Sequence, residues 1–102
     1  MKKIIGGRMY NTETAEKIQE WDNGLYGNDY RSCEETLYKK TKGEYFIYGS
    51  GGALSKYSIP CGNNSSSGSS DIIPLTEDEA KNWMETKGDP DAYMEEFGEV
   101  PE

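Results

Sequence analysis

The sequence predicts an α+β domain: a small antiparallel sheet of three to five strands, one helix after the first strand, and one or two helices at the C-terminus, with the helices on one sheet face. Three observations carry that prediction. Two β-rich runs, residues 36–40 and 44–48, flank a Thr41-Lys42-Gly43 connection. A Thr76/Glu79 pair opens a helically spaced run near the C-terminus. Ala15, Ile18 and Trp21 recur every three residues behind a polar Asn11-Thr12 step.

Residues 3–10 read as a short first strand, weakened by Gly6-Gly7. Asn11 and Thr12 supply groups suited to cap a helix. Glu13 and Glu16 then fall in its first turn, where carboxylates favour the positive end of the helix dipole. Asn23-Gly24 stops that helix, and residues 25–31 form a loop with two aromatic side chains.

Between residues 34 and 48 the three connecting residues end in glycine, which fits a type I turn closed by a left-handed glycine bulge. That register sets Lys40 opposite Glu44, Tyr38 opposite Phe46 and Leu37 opposite Ile47. Such cross-strand pairs contribute roughly 0.2–1 kcal/mol each. Both faces of the hairpin carry apolar groups, so it belongs in the middle of its sheet, one face on the helices and the other partly exposed.

Glycines 49, 51 and 52 lead into residues 53–59, a third or fourth strand ended by Pro60. Residues 62–70, rich in Gly, Asn and Ser, read as a flexible surface loop, and residues 71–73 as a short edge strand before Pro74. Thr76 and Glu79 form a capping box, with Leu75 stapled onto the first turn. Ala80, Trp83 and Met84 define the buried stripe, and Gly88 closes the helix. Asp89 caps a last short helix with Pro90 at its first position, and Tyr93 and Phe97 face inward together.

With 102 residues the chain is expected to be a single domain. Leu, Ile, Val and Phe number only fourteen, but eight tyrosines and two tryptophans supply an aromatic-rich core. The charge is uneven. Residues 71–102 hold eleven carboxylates against two lysines, whereas residues 1–70 are nearly neutral, and the whole chain carries −8. A dense negative surface repels nucleic acid and attracts a basic groove that would otherwise hold it. The competing reading is plain solubility.

The opening apolar run is too short for a signal peptide, and no stretch is long enough to span a bilayer, so the expected setting is cytoplasmic. Cys33 and Cys61 stand 28 positions apart in a chain without histidine, which provides neither a zinc site nor a Cys-His nucleophile; whether the two are bonded is open at this point. Glycines 49, 51 and 52 lack the Gly-Lys-Ser/Thr ending of a phosphate loop. Glu34, Glu35 and Glu44 suggest a divalent metal, but adjacent strand residues face opposite sides, so Glu34 and Glu35 do not converge. Lys39, Lys40, Lys42 and Lys56, grouped near the hairpin turn, make a weak nucleic-acid site beside so much negative charge. No catalytic residue, metal or cofactor is expected, and the protein reads as a binder, not an enzyme.

Several stretches carry a resemblance: Lys3-Ile-Ile-Gly-Gly-Arg-Met-Tyr-Asn-Thr-Glu-Thr-Ala-Glu, Trp21-Asp-Asn-Gly, the run from Cys33 to Gly49, Gly51-Gly52, Ser55-Lys56-Tyr57 and Ile73-Pro-Leu-Thr-Glu-Asp-Glu-Ala. Together they resemble a family of small proteins from phages and conjugative elements of Gram-positive bacteria that includes type II-A anti-CRISPR proteins, inhibitors of Cas9. The resemblance implies a protein that binds Cas9 and interferes with guide RNA assembly or DNA engagement, since Cas9 holds its nucleic acids in positively charged channels. It implies no catalytic residue. The alternatives are a general acidic module of a mobile element, such as a DNA-mimicking anti-restriction protein or an antitoxin, and a metal-dependent nuclease acting on guide RNA. For the binding readings, the candidate contacts are Glu77, Asp78, Glu79, Glu85, Asp89, Asp91, Glu95 and Glu96, with Tyr38, Tyr45 and Tyr48 as apolar anchors and no direct contact to nucleic acid.

Overall fold

The central hairpin closes in the predicted register. Strand β4 (Cys33–Lys39) pairs with β5 (Tyr45–Gly51), with Tyr38 opposite Phe46 and Leu37 opposite Ile47. The Lys40 N–H donates to the Glu44 carbonyl (2.7 Å) and the Gly43 N–H to the Lys40 carbonyl (2.8 Å). Gly43 sits at φ +95°, the left-handed position that the turn reserves for glycine. These and the other coordinates come from a computed structural model describing residues 1–25, 29–62 and 65–101; part of the expected 25–31 loop, including one of its aromatics, lies outside them.

Residues 2–11 form a hairpin in place of a single strand. β1 (Lys2–Ile5) turns at Gly6-Gly7, both with positive φ, into β2 (Arg8–Asn11). Two successive positive φ values define the mirror-image turn whose twist suits a two-residue hairpin loop.

The expected helix after the first strand is absent, and β3 (Glu16–Asp22) occupies its place, paired antiparallel to β4. The physical reason is a register shift between Lys17 and Gln19. One extra residue in a strand resets its alternation, so Ile18 and Trp21, three apart, pack on the same side of the sheet. A bulged strand thus reproduces the Ile18–Trp21 part of the apparent helical stripe, whereas Ala15 packs on the other face with Tyr10 and Phe46. The capping groups serve a turn instead: the Glu13 N–H donates to the Asn11 side chain (2.9 Å), and the Ala15 N–H to the Asn11 carbonyl (3.2 Å).

Residues 53–58 also depart from the expected strand and run as turns. Only Ile59 and Pro60 are extended, forming β6 (Ile59–Pro60) against β7 (Ser66–Ser67). The span 62–70 therefore contains β7 and the start of β8 (Ser69–Leu75) where a loop was expected. Strand β8 includes the predicted 71–73 segment and lies at the edge of a four-stranded antiparallel sheet ordered β3-β4-β5-β8. Pro74 continues it, since an edge strand has one side where no N–H is required.

Helix α1 (Glu77–Lys87) starts at the predicted capping box: the Glu79 N–H donates to the Thr76 hydroxyl (3.1 Å) and the Thr76 N–H to the Glu79 carboxylate (2.9 Å). Thr76→Ala is expected to cost about 1 kcal/mol, read as a lower urea midpoint with an unchanged slope. Helix α2 (Pro90–Phe97) begins with proline as expected, but the Asp89 side chain makes no cap bond; its carbonyl accepts from the Tyr93 N–H (2.9 Å).

Alternation along β4 and β5 gives the sheet two apolar faces. Leu37, Tyr45 and Ile47 pack against Ala80, Trp83 and Met84 of α1. Phe46 and Ile72 pack against Tyr10 of the N-terminal hairpin. The hairpin thus covers the second face in part, leaving Tyr38 and Tyr48 half-buried, in keeping with the expected partial exposure.

Candidate protein-interaction surface

Seven of the eight candidate carboxylates, Glu77, Asp78, Glu79, Glu85, Asp89, Asp91 and Glu95, are exposed. Asp78 and Glu85, seven apart, share one line on the outside of α1, and Asp91 and Glu95, four apart, share one on α2. Among the described residues, Asp78, Glu85, Asp91 and Glu95 form no ion pair. The two lysines of this region do little to offset them. Lys87 turns inward to Glu35, and the Lys81 ammonium lies 5.7 Å from the centre of the Phe97 ring.

Glu96 behaves differently. Its side chain is 13 % exposed and accepts from the Lys39 ammonium (2.8 Å) and the Tyr45 hydroxyl (2.5 Å). Burial, and next the Glu96 carboxylate, pushes the Tyr45 phenol well above its usual range. Glu96 therefore fastens α2 to the sheet and is already satisfied within the chain.

The predicted tyrosine anchors are corrected in the same way. Tyr45 is in the core beneath the helices, 6 % exposed. Tyr38 stacks on Phe46, with centroids 5.3 Å apart and planes at 10°, and with Tyr48 it is half-buried on the opposite sheet face, beneath the N-terminal hairpin. Strand alternation separates these rings from the acidic helices. Apolar side chains that do border the acids are Met94 and Val100, both exposed, on a cleft of about 410 Å³ shared with Met84 and Tyr93.

Lys39, Lys40, Lys42 and Lys56 do not form one cluster. Lys39 pairs with Glu96, Lys56 with Glu35, and only Lys40 and Lys42 belong to the turn region. Glu34 is exposed while Glu35 is buried, as the strand alternation requires. Among the described residues no group of three metal-ligating side chains occurs. Both cysteines are free. The Cys33 thiol is pushed up by burial and then by Glu35, so it stays protonated.

Sequence reasoning did not find the most unusual group in the molecule. Glu35 is 1 % exposed, and four donors converge on its carboxylate: Lys56 Nζ (2.7 Å), Lys87 Nζ (2.5 Å), Trp83 Nε1 (3.1 Å) and the Tyr57 hydroxyl. Gly49, directly opposite Glu35 on β5, makes room for the tyrosine; a Cβ there would stand 2.0 Å from the Tyr57 ring. Lys87 is held 4.4 Å from the centre of the Trp21 ring, a cation–π contact that steers it inward. Burial pushes the Glu35 carboxyl up, but the four hydrogen bonds outweigh it and hold the group at about 2. The side chain is fully enclosed, so it joins the 52–58 loop and α1 to the sheet and offers nothing to a substrate. Tyr57→Phe, which removes one charge-assisted bond, is expected to cost about 2 kcal/mol in chemical denaturation.

No protein-family model matches the chain, and neither a curated protein nor a solved structure does. Among the described residues no helix is long and apolar enough to cross a membrane.

Proposed function

We propose that this protein inhibits type II-A Cas9 by stoichiometric binding, laying the acidic outer sides of α1 and α2 into a cationic channel that normally holds guide RNA or target DNA. The observation that carries this reading is the set of exposed carboxylates Asp78, Glu85, Asp91 and Glu95, which form no ion pair among the described residues and are displayed on two helices fixed to a sheet. Rigid display matters because a flexible acidic tail would lose conformational entropy on binding. Met94 and Val100 beside the acids supply the apolar contact that the tyrosines do not. The resemblance of the sequence to mobile-element proteins that include Cas9 inhibitors agrees with this charge pattern. No chemistry is needed, only complementarity of surface potential.

A Cas9 cleavage assay with the protein added before or after guide RNA tests the reading. Inhibition saturating near one equivalent with intact guide RNA is the expected outcome. Protection only when the protein is added first places the block at guide assembly, and equal protection in both orders places it at DNA engagement. Inhibition by trace amounts with loss of guide RNA would contradict the proposal.

A further inference from the structure

The acidic helices are not the molecule's only polar surface. The β1–β2 hairpin and the β4–β5 turn bound an open cleft of about 530 Å³, into which Arg8, Lys40 and Lys42 are gathered. A single carboxylate lines the cleft beside these three cations. Glu44 accepts from Arg8 Nη1 (2.6 Å) and from Lys40 Nζ (3.2 Å), and both bonds pull its carboxyl below the usual range, the Lys40 bond most. Lys42 is exposed and forms no ion pair among the described residues. The cleft thus keeps two positive charges in excess on a chain whose net charge is −8.

Its cations are positioned, not merely nearby. The Lys40 ammonium sits 3.6 Å from the centre of the Tyr10 ring, and its side chain is only 16 % exposed. Arg8 uses one guanidinium nitrogen on Glu44 and leaves the rest of the fork toward solvent, its side chain 64 % exposed. Two neutral donors line the same space. The Asn11 side-chain oxygen is occupied by the Glu13 N–H, and its amide nitrogen, like the Thr41 hydroxyl, donates to nothing among the described residues.

We propose that this cleft binds a phosphate group, with the Arg8 fork and the Lys42 ammonium as its direct charge partners and Lys40 holding Glu44 aside. A phosphate dianion matches the excess of two charges, and a planar guanidinium with a free edge suits its oxygens. Glu77 lines the adjoining cleft together with Arg8 and Glu44 and opposes the anion, so binding is weak and dependent on low salt. The proposal stands independently of the acidic helices, whether or not they engage a partner.

Amide NMR titration of the full chain at low salt tests it, using inorganic pyrophosphate in one arm and a short single-stranded oligouridylate in the other. Shifts are expected at Gly7, Arg8, Thr41 and Lys42. Arg8→Gln with Lys42→Gln should weaken binding about tenfold or more while the amides of β4 and β5 stay in place. Oligouridylate binding about tenfold tighter than pyrophosphate identifies a nucleic-acid backbone as the source; equal or weaker binding identifies a free phosphate ligand. No shift at these amides with either probe, or shifts that the double substitution leaves unchanged, would overturn the proposal.

Discussion

Glu35→Ala is expected to lower stability by about 3–5 kcal/mol, because deleting one partner of a buried ion pair strands the others. Lys87 would be left beside Trp21 without its counter-charge, and the Trp83 N–H and Tyr57 hydroxyl would lose their acceptor together. Lys56, whose side chain is 54 % exposed, can turn to water once its partner is gone. Glu35→Gln keeps the shape and one acceptor and should lose less. The pH dependence has a definite sign. A carboxyl near 2 in the fold and 4.5 when unfolded adds about 3 kcal/mol at neutral pH, present above about pH 5 and lost as pH falls toward 2. Urea titrations of the three proteins at pH 7 and pH 3 check this. The gap between wild type and Glu35→Gln should narrow at the lower pH; a gap independent of pH, or Glu35→Ala within about 1 kcal/mol of wild type, would show that the node is not what binds loop and helix to the sheet.

Reversal of Asp78, Glu85 and Glu95 to lysine is expected to abolish inhibition. These three are exposed, make no ion pair among the described residues and take no part in either helix cap. Glu79 is a poorer choice, since it closes the capping box, and the reversal of Asp78, which like Glu77 lies in the first turn of α1, carries a helix-dipole cost of about 0.3–1 kcal/mol. The triple change brings the net charge from −8 to −2, which leaves the protein acidic. Affinity should fall about a hundredfold or more, because complementary charges become like charges in the channel. Lysine at Glu96, by contrast, should act through stability, by breaking the contacts with Lys39 and Tyr45. Full inhibition by the triple variant with a native urea midpoint would remove the acidic surface from the interface.

What the sequence makes legible is local. The Thr41-Lys42-Gly43 turn fixes the whole β4–β5 register through one left-handed glycine, and the Thr76/Glu79 box marks the start of α1 to the residue. The 12–22 segment misleads because a bulge at Ile18 puts Ile18 and Trp21 on one side of a strand, while Ala15, which completes the apparent helical stripe, packs on the opposite sheet face. Tyr45 reads in sequence like the other tyrosines, and the docking of α1 and α2 on its sheet face makes it core. Glu35 is hidden for a related reason: its four partners, Lys56, Tyr57, Trp83 and Lys87, lie 21, 22, 48 and 52 residues away, so no short window of sequence contains the site. The Cys33, Glu35, Leu37 alternation does put it on an inward face, and a carboxylate there is the one available hint of a buried node.

Titration calorimetry of the protein into guide-free and guide-loaded Cas9, repeated across ionic strengths, tests the central claim most directly. The prediction is one-to-one binding to at least one of these forms that weakens steeply with salt and is lost in the Asp78/Glu85/Glu95 reversal. Absence of binding to both forms at low ionic strength, or affinity indifferent to salt and to the reversal, would contradict it.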